Sequence, residues 1–134
     1  MALNYAIDAH SLIWYFTGSS RLGASAKEAM SDPASLLFLP IIALMEACHV
    51  VARGKTSIPS FHDLLKDIDS DPRIKIVPLD RNIFDISLKL TAVTEMHDRL
   101  IVATALSLNA NGEGASLLTC DQNIVTSGLV ATLW

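Results

Sequence analysis

Four carboxylates stand where an acid is chemically conspicuous. Asp8 directly follows the apolar run 3–7, and Asp121 closes the apolar run 116–119 after Cys120. Glu46 interrupts an otherwise apolar surface over residues 41–51, where a charge is rarely buried without a partner. Asp98 opens a helical pattern whose apolar face is Ile101, Val102, Ala105, Leu106 and Leu108, and a helix start favours an anion. Carboxylates gathered in one small crevice repel one another, so either some take up protons or a cation binds among them. Oxygen donors alone suit Mg²⁺ or Mn²⁺, whereas zinc usually adds His or Cys. Such an ion ionises water and stabilises charge on a phosphodiester oxygen. Asp8, Asp98 and Asp121 are equally well placed to cap helices, so a purely structural role stays open at this point.

The elements that must position these acids alternate along the chain. Residues 3–7 read as a buried strand, followed by a helix over 10–16 that Gly18-Ser19-Ser20 breaks. A second helix spans 25–30, with Ser25 and Glu28 in capping-box spacing. The continuous apolar run 36–39 predicts a strand buried on both faces. Pro40 suits the first turn of a helix ending near Arg53 and Gly54, with Ile42, Met45, His49 and Ala52 on one stripe. An amphipathic helix over 60–68, a strand over 74–77 and a helix over 81–92 capped by Asp80 come next. After the Asp98 helix, residues 116–119 form a strand, 122–126 a helical turn and 129–134 a last strand. Strands separated by helices predict an α/β fold: one domain, residues 1–134, built on a parallel sheet of about five strands with helices on both faces. In such sheets ligands bind beyond the carboxyl ends of the strands, where the strand order reverses. Asp8 and Asp121 face each other there if the first and fourth strands are neighbours, and Glu46 leans over the same edge.

Composition narrows the function classes. The chain has 134 residues, 51% of them hydrophobic, which excludes disorder and disulfide scaffolds as the main description. Ten Lys and Arg against fourteen Asp and Glu give a net charge of −4. Bulk charge therefore cannot hold nucleic acid; that role needs a local basic patch or a metal ion. Cys48 and Cys120 lie in apolar segments outside any CxxC pair, so they are expected as buried thiols in a reducing compartment, with no zinc site. No signal-peptide pattern opens the chain, and the longest apolar run, 36–45, contains Pro40 and is too short for a bilayer. The expectation is a cytoplasmic protein without membrane contact. No GxGxxG, Walker or GxSxG motif supports nucleotide binding or serine hydrolysis.

Four segments resemble one known family in order and spacing. The run Asp8-Ala9-His10-Ser11-Leu12-Ile13-Trp14 is similar to the opening of PIN-domain ribonucleases, especially the VapC-type toxins of bacterial toxin–antitoxin pairs. Met45-Glu46-Ala47 resembles their glutamate-bearing helix, His97-Asp98-Arg99-Leu100-Ile101-Val102-Ala103 their Asp-Arg helix start, and Leu118-Thr119-Cys120-Asp121 their last acidic motif. The resemblance covers essentially the whole chain. It implies that Asp8, Glu46, Asp98 and Asp121 form an acidic quartet holding Mg²⁺ or Mn²⁺. It also implies metal-dependent cleavage of single-stranded or looped RNA, a small antitoxin partner and a homodimer. Two departures stand out: Ala9 replaces the Thr or Ser usual after the first Asp, with Ser11 nearby, and Thr94-Glu95-Met96-His97 replaces a Pro- or Arg-containing stretch.

Other residues have competing roles. His10 and His97 flank proposed ligands and could meet phosphate, or serve packing; His49 reads as a core or rim histidine. Arg99 is a candidate for RNA contact or for pairing with a carboxylate, and Arg53 and Lys55 for a helix end or the RNA backbone. Trp14 and Tyr15 fit a base stack, the core or a dimer interface. Two other functions remain: a metal-dependent phosphohydrolase of a small phosphate ester, and a non-catalytic binding module. The first is weakened by His10, which stands where such phosphatases carry a second Asp.

Overall fold

A computed structural model describes residues 3–134. Five strands, β1 (Leu3–Ile7), β2 (Ser35–Pro40), β3 (Ile74–Val77), β4 (Ser116–Leu118) and β5 (Thr132–Leu133), form one all-parallel sheet in the order β3-β2-β1-β4-β5. The order reverses at β1, which has β2 on one side and β4 on the other. Successive strand residues point to opposite faces. Ala6 and Ile7, and likewise Leu117 and Leu118, are fully buried neighbours, so both faces of the sheet centre are covered.

The covering helices are α1 (Ala9–Thr17), α2 (Ala24–Ser31), α3 (Ile41–Ala52), α4 (Phe61–Asp69), α5 (Arg81–Ser87), α6 (Met96–Ala110) and α7 (Gln122–Ser127). No helix among the described residues is long and apolar enough to cross a membrane. The expected α/β architecture is therefore present, with differences in detail that have local causes.

Helix α2 starts after Gly23, not at Ser25, and no side chain caps it. A Cβ at Gly23 would lie 2.5 Å from the Trp134 carbonyl carbon, so only glycine admits the C-terminal residue there. Asp80 does cap α5, accepting from the Ile83 N–H at 2.8 Å, but the helix ends at Ser87 instead of Ala92. Beyond it, i→i+3 turns through Leu90 and Val93 carry the chain while burying both side chains. The last strand is only Thr132–Leu133 of the expected 129–134.

On α3 the buried residues are Ile42, Ala43, Leu44, Ala47 and Val51. Met45, His49 and Ala52, which share a stripe with Ile42 in the sequence, are exposed. A segment that is apolar on nearly every side gives periodicity little contrast, so that stripe does not mark the inner face.

Candidate active site

Each acid is set by a turn that the sequence dictates. β1 ends at Ile7, and Asp8 is the N-cap of α1. Its Oδ1 accepts from the Ser11 N–H at 2.9 Å and lies 2.7 Å from the Ser11 hydroxyl, while the Asp8 N–H donates back to Ser11 Oγ at 3.1 Å. This reciprocal capping box pins the carboxylate and leaves Oδ2 without a protein partner. Fully buried Ser11 also reaches the Leu118 carbonyl at 3.3 Å, tying the turn after β1 to the end of β4. The hydroxyl missing at Ala9 is thus supplied two residues further on, by Ser11.

Beyond β4, buried Thr119 accepts from the Asp121 N–H at 3.1 Å, and Asp121 Oδ1 caps α7 through the Ile124 N–H at 3.1 Å. Here too the second carboxylate oxygen makes no hydrogen bond. Asp98 was expected to open its helix, but α6 starts two residues earlier, capped by Glu95, whose Oε2 accepts from the Asp98 N–H at 2.9 Å. Asp98 sits inside the first turn and caps nothing. Glu46, on the second turn of α3, has its Oε1 buried with no hydrogen-bond partner. A buried carboxylate oxygen in that state is costly and calls for a ligand.

The four side chains come together. Asp8, Glu46, Asp98 and Asp121 line one cavity of about 300 Å³ at the carboxyl ends of β1 and β4, bordered by His10, Trp14 and Cys120. No Lys or Arg pairs with any of the four among the described residues. The electrostatic cost is visible in the titration. Burial, then the charges of Asp121, Glu95 and Asp8, push the Asp98 pKa up to about 6, although a helix start ordinarily favours its anion. Burial also raises Glu46; the His97 charge partly offsets this, and Asp98, Glu95 and Asp8 add to it.

The donor chemistry fits a hard divalent cation: carboxylate oxygens, two of them anchored through the other oxygen and one buried without a partner. Among the described residues no three such side chains are already closed into a ligand set.

The neighbouring residues divide between the roles expected of them and others. His97 Nδ1 lies 2.7 Å from Glu95 Oε1, and this hydrogen bond raises the His97 pKa. Arg99 makes no pair with a carboxylate; its Nε donates to the Val93 carbonyl. His49 is not in the core but on the rim of a second cavity, shared with Met45, Glu46, Val50 and His97. His10 stacks on Trp14 with ring centroids 5.1 Å apart. Both cysteines are free but neither is fully buried: Cys48 is half-buried and Cys120 is exposed in the wall of the acidic cavity. Strand β4 ends at Leu118, so Cys120 falls in the turn instead of the sheet. Sequence reasoning missed Glu95 as the α6 cap, although Glu95 stands three residues before Asp98 at capping distance.

Comparison with known proteins agrees with this architecture. No curated protein matches the chain in sequence. A chain of the VapBC2 complex from Rickettsia felis, bound to a DNA fragment from its promoter, superposes with a TM-score of 0.69 at 15% identity, covering 98% of both chains. A chain of a toxin–antitoxin complex from Klebsiella pneumoniae gives 0.64 at 19% identity, covering 97% of this chain and 96% of that one. At such identities the likeness concerns the fold. The sequence model of the PIN domain matches residues 5–126, which runs from the third residue of β1 to the last but one of α7 and takes in all four acids, and the chain belongs to the PIN domain family.

Proposed function

We propose that this chain is a divalent-metal-dependent endoribonuclease that cuts single-stranded or looped RNA, and that it acts as the toxin of a toxin–antitoxin pair. One observation carries the reading: four carboxylates without a cationic partner share one cavity where the strand order reverses, and one of their oxygens is buried with nothing to bind. A structural role accounts for Asp8 and Asp121, which cap helices, but not for Glu46 or Asp98, which cap nothing.

Asp8 and Asp98 would hold Mg²⁺ or Mn²⁺ directly, with Glu46 and Asp121 completing the set directly or through water. When bound, the ion supplies Lewis acidity toward the phosphodiester and toward water, and cancels the field that repels RNA. Ser11 holds Asp8 in place throughout, and the Ile124 N–H holds Asp121. Glu46, whose buried Oε1 has no protein partner, would orient the attacking water and take up its proton. The half-apolar walls, Trp14 and Ile101 among them, limit competing water.

The partner reading rests on the two similar solved chains, which come from toxin–antitoxin complexes. We assign the protein to the cytoplasm as a single nuclease domain on the same basis.

Incubation of the purified chain with mixed cellular RNA, in Mn²⁺ or Mg²⁺ and in chelator, tests the activity. Discrete fragments that require the ion and disappear with Asp98→Asn are the expected result. Intact RNA under every condition, or cutting that persists in chelator, refutes it.

A further inference from the structure

An acidic protein that handles RNA must hold the strand somewhere other than at its carboxylates. The sequence separates its charges for this purpose. Residues 9–27 and 47–62 contain Arg21, Lys27, Arg53 and Lys55 and no Asp or Glu, in a chain of net charge −4. The fold packs these two segments together through α1 and α3.

Where they meet lies a cavity of about 290 Å³ lined by Trp14, Thr17, Ser19, Arg21, Lys55 and Ser57, among others. Both cations are exposed, and neither has a carboxylate partner among the described residues. Trp14 also lines the acidic cavity, so one side chain forms a wall of both. His10, Trp14 and Thr17 recur at the four- and three-residue spacing of one helix face. That stripe leads from the carboxylates to the cations over roughly 10 Å of helix. The Arg21 guanidinium lies 6.0 Å from the centre of the Trp14 ring, at the outer reach of a cation–π contact that biases its head toward this wall. With His10 already stacked on it, Trp14 is a wall and a clamp for Arg21 more than a platform for a base.

We propose that this basic, hydroxyl-lined cavity binds a backbone phosphate of single-stranded RNA beside the scissile one, with Arg21 and Lys55 as positioning residues. The proposal rests on the nuclease reading and gives it a direction: the strand crosses Trp14 with one phosphate over the carboxylates and a neighbour between the two cations. Phosphate contacts of this kind fix register without reading sequence.

The test uses Asp8→Asn as a non-cleaving background, in chelator, with a fluorescein-labelled oligoribonucleotide of about 12 nucleotides. Adding Arg21→Gln and Lys55→Gln should weaken binding about tenfold at low salt. It should also flatten the dependence of log affinity on log salt by about 0.7, the value for one lost phosphate contact on a single strand. Arg81→Gln, whose side chain pairs with Asp85 on α5, should change neither quantity. Unchanged melting temperatures show that the variants fold. If the double variant keeps the affinity and slope of its background while wild type still cuts RNA, the subsite is wrong and the nuclease reading stands. If binding depends on Arg21 and Lys55 but wild type cuts no RNA, the subsite stands and the nuclease reading falls. If the Asp8→Asn chain binds no oligoribonucleotide, the subsite is overturned in either case.

Discussion

The two ends of the sheet treat charge in opposite ways. At the amino end, Arg73 stands just before β3. Its Nη1 donates to the carbonyls of Met30 and Asp32 at 2.6 and 2.8 Å, and Nε and Nη2 grip the Asp71 carboxylate at 3.1 and 2.9 Å. That grip holds the Asp71 pKa below the ordinary carboxylate range and ties α2, the start of β2 and β3 together. At the carboxyl end, four acids face one cavity with no cation among them, and Asp98 is driven up to about 6. A charge that serves the fold is matched by the fold. Charges left unmatched and half-buried lower stability, and their retention points to a ligand that the chain does not itself provide.

The contrast is sharpest if neutralising a charge has opposite effects at the two ends. Asp98→Asn should reduce RNA cleavage about 10³-fold or more, the loss of several kcal/mol of transition-state stabilisation. The same variant should melt higher than wild type at neutral pH without metal, because a disfavoured anion has been removed. Arg73→Met should do the reverse. Leaving Asp71 and two carbonyls without their partner should cost about 3 kcal/mol and lower the melting temperature on the order of 10 °C, with cleavage per folded molecule unchanged. A melting temperature that falls for both variants by the same amount would erase the distinction.

Metal should act on one end only. At about one hundred times its Kd, Mn²⁺ should stabilise wild type by about 2.7 kcal/mol, and Arg73→Met by the same increment, read as a rise in melting temperature. Asp98→Asn should lose most of that rise. A shift that survives Asp98→Asn places the ion elsewhere.

The smallest effect is that of pH on the metal-free chain. The folded Asp98 pKa lies above its ordinary value of 3.8, at about 6, so its protonated form is the one the fold favours. Its contribution to stability is fully present below about pH 4 and is lost as pH rises through about 6. Asp71 works the other way: its contribution is present above its ordinary pKa and is lost as pH falls through its lowered one. Between about pH 4 and pH 6 the stability difference between wild type and Asp98→Asn should therefore grow with pH, by a few degrees in melting temperature. A difference that stays flat over this window contradicts the assigned shift.

What the sequence made legible follows the strength of its local signals. The alternation of apolar runs and helical patterns located every strand and the parallel class of sheet. Asp8 and Asp121 were readable because an acid directly after a buried strand is conspicuous, and Glu46 because it breaks an apolar surface. Long-range approaches were not readable. Nothing in the run Leu22-Gly23-Ala24 announces that Trp134 will lie against Gly23, or that Ser11 will reach the Leu118 carbonyl. Nor does the sequence around Arg73 announce its partners, the carbonyls of Met30 and Asp32, some forty residues away. On α3 the uniform apolar character hid which side faces inward, and the same ambiguity made Cys48 look buried.

If the cavity between β1 and β4 is a divalent-ion site, crystals grown in Mn²⁺ at neutral pH should show it by manganese anomalous scattering. A peak is expected among Asp8, Glu46, Asp98 and Asp121, with carboxylate oxygens about 2.0–2.6 Å away. An empty cavity, or manganese bound only at other residues, contradicts it.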